Sequence, residues 1–118
     1  MAGKSRIRRV PEVVHLLERA GRGPVWGTES DELNATLLAW PAGEANPEHV
    51  NAERDVLMVV VSGGGSLEVD GEAHELTAGD AVLVPKGSSR QLVAGPHGIR
   101  YLSVHRRRGG LRIGKAPS

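Results

Sequence analysis

The stretch RDVLMVVVSGGGSLEVDGEAHELTAGDAVLVPKG, residues 54–87, decides the fold. Arg54–Ser62 is rich in strand-forming residues, and Gly63–Gly65 reads as a turn. Leu67–Val69 is a short strand, and Asp70-Gly71 is a tight-hairpin signal answered by Ala73–Leu76. Thr77–Asp80 turns the chain again, Ala81–Val84 is another strand, and Pro85–Gly87 is a further turn. Every residue of Val56–Val61 is apolar. Both faces of that strand are therefore expected to be covered, one by the barrel interior and the other by a second sheet, an N-terminal helix or another subunit.

Strand signals continue on either side. Ala35–Trp40 is one strand, stopped by Pro41 and Gly43. Gln91–Ala94 and Ile99–Val104 are two more, with Gly95-Pro96-His97-Gly98 between them as a loop. Short strands separated by turn signals every eight to twelve residues indicate an all-β sandwich or barrel. Pro11–Ala20 is expected to be the one helix, because Val13, Leu16, Leu17 and Ala20 recur at helical spacing and Gly21 follows.

With 118 residues and no internal repeat, the chain is read as one domain. Residues 1–32 form an N-terminal arm and short helix, 33–104 the barrel, and 105–118 a basic tail. The chain has no cysteine, which excludes disulfides, thiolate nucleophiles and thiolate metal sites. It also has no Phe, so Val, Leu and Ala must fill the core. No apolar run is long enough to cross a membrane or to serve as a signal peptide, and a cytoplasmic location is expected.

The net charge of +1 conceals a segregation: residues 27–80 carry twelve acids and one base, Arg54, while both ends are basic. The ends could attract an anionic partner, or they could flank and neutralise the acidic middle. Arg106, Arg107, Arg108, Arg112 and Lys115 lack the interleaved aromatic residues that stack on bases, so nucleic acid binding is not expected.

The spacing of glycines, prolines and one histidine over Leu33–Val104 resembles the cupins, small antiparallel jelly-roll barrels. Their first motif places Gly, His-x-His, Glu and Gly at set intervals. Here those places hold Gly43, His49, Asn51, Val56 and Gly63. Their second motif is matched by Gly79, Pro85 and Gly87, while its His and Asn places hold Arg90 and Ala94. The resemblance implies the barrel fold and a mouth lined by these residues. It also implies a metal held by three His and one Glu, but here one good ligand, His49, remains in the set. Arg90 has no lone pair to give, so no metal cofactor is expected. The alternative is an atypical site assembled from His49, Glu53 and His105.

These substitutions leave His49, Asn51 and Arg90 over an apolar floor that includes Val56 and Met58, the pattern of a small-molecule pocket. The expected ligand is small and anionic, held by the Arg90 guanidinium. In the competing reading Arg90 pairs internally with Glu53 or Asp55. Two further functions fit the same residues: a small isomerase, cyclase or lyase with His49 as acid/base, and an interaction module that uses the basic termini. A homodimer is expected, since cupins commonly dimerise and Val56–Val61 offers a second apolar face. His105 could join His49 inside the barrel, although a strand-end surface position is the commoner outcome. His15, His74 and His97 are read as solvent-facing or packing residues. Trp26 could cover the mouth, and Trp40 is read as a core or rim residue.

Overall fold

The computed structural model describes residues 11–50 and 53–107, the side chains of 47–50 excepted. Among the described residues, seven strands follow one short turn of 3-10 helix. They are β1 (Gly23–Glu29), β2 (Leu33–Trp40), β3 (Ala45–Val50), β4 (Val56–Val69), β5 (Glu72–Thr77), β6 (Ala81–Val84) and β7 (Ser89–Arg106). All pairings are antiparallel, in the order β1-β2-β7-β4-β5, with β3 on β7 and β6 on β4.

β4 and β7 are long because each serves two sheets. The first half of β4 pairs with β6 and its second half with β5. The first half of β7 pairs with β3 and its second half with β2. Gly63–Gly65 and Gly95–Gly98, expected to be connections between strands, lie inside these two strands as bends. The register of β4 on β7 shifts at Val60/Ser62 and again at Gly63/Gly65. Glycine is needed at the bend because the backbones touch. Gly63 has φ +70°, and a Cβ on it would collide with the carbonyl oxygen of Gly98. The Asp70-Gly71 signal behaves as expected: φ is 50° at Asp70 and 87° at Gly71, and Val69 pairs with Glu72.

The bends fold the two sheets face to face around one core that joins Met58, Val60 and Tyr101 to Leu67, Leu76 and Leu92. Val56, Met58 and Val60 are each 1% exposed, whereas Leu57 on the other face is 41% exposed. Within one chain, the outer face of Val56–Val61 is therefore only partly covered. The 3-10 turn and the residues before it lie along part of the outer face, where Val14, Leu16 and Leu17 border a groove with Val61.

The helix expected over Pro11–Ala20 is a single 3-10 turn, Leu16–Glu18. Its carbonyls are taken from outside: Arg100 Nη1 donates to Leu17 O and to Arg19 O, each at 2.7 Å. His15, at the start of the turn, gives no side-chain cap. A segment this short has too few internal hydrogen bonds to resist that competition. No helix among the described residues is long and apolar enough to cross a membrane.

Basic and acidic segments meet where they are described. Arg22 pairs with Glu44 at 2.7 Å and Arg107 with Glu29 at 3.4 Å. Residues 1–10 and 108–118, which carry half of the bases outside residues 27–80, lie outside the described residues.

Candidate functional site

Strand alternation fixes what faces the interior. Residues directly opposite in an antiparallel pair share a face. Val56, Met58 and Val60 are buried and stand opposite His105, Ser103 and Tyr101. In the other sheet Leu67 and Val69 stand opposite Leu92 and Arg90. The bends close one end of this sandwich. The first residues of β4 and the last of β7 therefore reach the open end, where the last residues of β4 and the first of β7 also lie.

Arg90 places a positive charge on this inner surface. It is half-buried, and its Nη1 is sealed from solvent with no hydrogen-bond partner among the described residues. Burial pushes the guanidinium below its ordinary pKa, and the opposing electrostatic influence of Tyr101 raises it. Tyr101 is 4% exposed, and its hydroxyl accepts a hydrogen bond from Asn46 Nδ2 at 3.3 Å. That bond crosses the interior from β3 to the second half of β7.

Val56, Met58 and Arg90 all face inward, as expected. His49 has its backbone on β3 directly opposite Arg90. Its side chain, and the whole of Asn51, lie outside the described residues. His105 is opposite the buried Val56 and half-buried, with Nδ1 3.0 Å from the Arg106 carbonyl oxygen. Glu53 is in an ion pair with Arg54 at 3.8 Å. Asp55 Oδ1 accepts a hydrogen bond from the Lys86 backbone N–H at 2.9 Å, and the ion pairs among the described residues do not include one between Arg90 and Asp55. Trp26 stands opposite Leu37, on the face away from the core-packed Leu38 and Trp40. It cannot cover the mouth. His15, His74 and His97 are exposed.

Sequence reasoning missed Asn46, Tyr101 and the burial of Arg54, whose side chain is only 14% exposed. Tyr101 was legible in principle, because it has the parity of Ile99 and Ser103, both buried. Asn46 was not, because β3 follows Pro41 and Gly43 and carries no run of apolar alternation.

A cupin-domain family model matches residues 36–104. The chain is a cupin. Among solved structures, this cupin is similar to BH2720 from Bacillus halodurans, with 22% identity and a TM-score of 0.71, covering 84% of this chain and 83% of that one. It is similar to KdgF from Halomonas sp., with 24% identity and a TM-score of 0.65, covering 70% and 76%. It is also similar to an RmlC-like cupin from Shewanella frigidimarina, with 26% identity and a TM-score of 0.62, covering 70% and 72%. No curated protein matches the sequence.

The cupin metal position can be tested against the residues this chain places there. Val56, at the glutamate place, is an apolar residue 1% exposed. Arg90, at a histidine place, is a cation with donors only. Neither can ligate a divalent ion, and the guanidinium would repel one. Among the described residues no group of three or more His, Asp or Glu is arranged to hold a metal.

Proposed function

We propose that this cupin is a cytoplasmic, metal-independent binding protein for a small anionic organic molecule, with Arg90 as the anion clamp. One observation carries the reading: a guanidinium nitrogen that faces the barrel interior, sealed from solvent, with no partner among the described residues. A buried cationic donor left unmatched is costly, and an anionic ligand would supply the missing acceptor. Val56 and Met58 would supply apolar walls, with His49 and Asn51 as the further polar contacts. The test is calorimetric titration of parent and Arg90→Met protein with a panel of small carboxylates and phosphates. Arg90→Met is expected to weaken binding by about thirtyfold or more, and an unchanged affinity rejects the proposal.

We also propose that the protein is a homodimer joined through the outer face of the β6-β4-β7-β2 sheet. A groove of about 700 Å³ there is lined by Leu33, Leu57, Leu83 and Val104. Leu33, Leu57 and Leu83 are exposed. The rim of the groove combines Asp31, Glu32 and Asp55 with Arg106 and Arg107. Charges of both signs suit a second copy of the same surface and disfavour a polyanion. Light scattering at micromolar concentration is expected to give twice the chain mass for the parent, and the chain mass for Leu57→Asp. A monomeric parent contradicts the proposal.

A further inference from the structure

Taking the anion-pocket reading as its basis, we infer that Tyr101 is the second anchor of the ligand, held in place by Asn46, and that the ligand is a monocarboxylate. A phenolic hydroxyl has one proton to donate and accepts through its oxygen. The oxygen of Tyr101 is engaged by Asn46 Nδ2. That contact turns the hydroxyl proton away from Asn46, and no described residue accepts it. Asn46 stands on β3 opposite Leu92, which shares the inner face of β7 with Arg90 two residues away, so the hydroxyl that Asn46 engages lies over the same stretch of interior as Arg90. Two sets of donors thus converge on one interior space, an N–H from Arg90 and an O–H from Tyr101, with Asn46 as the support behind the second.

The charge inventory selects among anions. Arg54, another arginine drawn in from solvent, is in an ion pair with Glu53 at 3.8 Å, and Arg100 is engaged by the Leu17 and Arg19 carbonyls. Among the described residues Arg90 thus offers one positive charge to a ligand, and Val56, Met58 and Leu92, buried on the same inner surface, would be its apolar walls. A carboxylate neutralises that charge and uses two oxygens, one for the guanidinium and one for the phenol. A phosphate monoester carries nearly two charges at pH 7 and three terminal oxygens. It would leave a negative charge and several acceptors uncompensated against apolar walls.

The experiment follows the Arg90 Nε–Hε signal by NMR during titration with acetate, propionate and benzoate, and separately with inorganic phosphate and methyl phosphate. The carboxylates are expected to move the signal at lower concentration than the phosphates. Tyr101→Phe, which keeps the ring, is expected to bind carboxylates about tenfold more weakly. Asn46→Ala is expected to weaken binding in the parent and to have no further effect in Tyr101→Phe, because its action passes through the hydroxyl. Parent-like affinity in Tyr101→Phe, with binding lost in Arg90→Met, overturns this inference and leaves the anion pocket standing. Tighter binding of the phosphates overturns the choice of ligand class. No response of Arg90 to any of the five anions overturns the pocket itself.

Discussion

Arg90→Met is expected to be more stable than the parent protein when no ligand is present, even though it binds anions at least about thirtyfold more weakly. In the parent, folding removes part of a guanidinium from water and leaves Nη1 without a partner among the described residues. Methionine keeps the length of the aliphatic stem, has no polar group to desolvate, and is flexible enough to pack against the surrounding apolar residues. Leaving a buried polar group unmade costs about 1–3 kcal/mol. Because Arg90 is only half-buried, solvent screening reduces the expected gain to about 1–2 kcal/mol. For a chain of this size that is a rise of roughly 5–10 °C in Tm. Thermal unfolding of the two proteins in an anion-poor buffer decides the matter. If Arg90 were satisfied by an internal carboxylate, its removal would strand that carboxylate and lower the stability instead.

Gly63→Val is expected to prevent stable folding, or to lower stability by more than about 3 kcal/mol. Two penalties act at this position. The backbone is left-handed, with φ +70°, where a β-branched residue is strained. The new Cβ would also meet the Gly98 carbonyl oxygen, which belongs to the facing bend and cannot swing aside as a side chain could. Gly43 separates the two effects: its φ is +77°, but nothing lies within 4 Å of an added Cβ. Gly43→Ala should therefore cost only the backbone strain, about 1 kcal/mol. Chemical denaturation of both variants measures the difference. Equal losses would mean that the bend is not the close approach described above.

The contrast between these two glycines shows why parts of the fold are readable in the sequence and others are not. Asp70-Gly71 encodes a local event, a two-residue hairpin loop with both φ angles positive, and local events leave local signals. Gly63–Gly65 and Gly95–Gly98 serve a long-range event, the approach of two bending strands. In one dimension they look like breaks between strands. The 3-10 turn eludes the sequence pattern for the same kind of reason. The apolar spacing of Val13, Leu16 and Leu17 is helical, but the segment is claimed by Arg100, more than eighty residues away.

The site is legible to the extent that the family's spacing labels it. Arg90, Val56 and Met58 face inward as that spacing implies. Tyr101 and Asn46 fall outside the motif, and their partnership joins two strands that are far apart in the sequence.

By the spacing of the cupin motifs, the Arg90 guanidinium stands at a place where the barrel ordinarily offers a histidine to a metal ion. Elemental analysis of protein purified without chelators tests it most directly. Well under stoichiometric zinc, iron, nickel and manganese is expected in both the parent and Arg90→Met. One equivalent of any of these metals per chain, retained through dialysis and lost on substitution of His49, would contradict it.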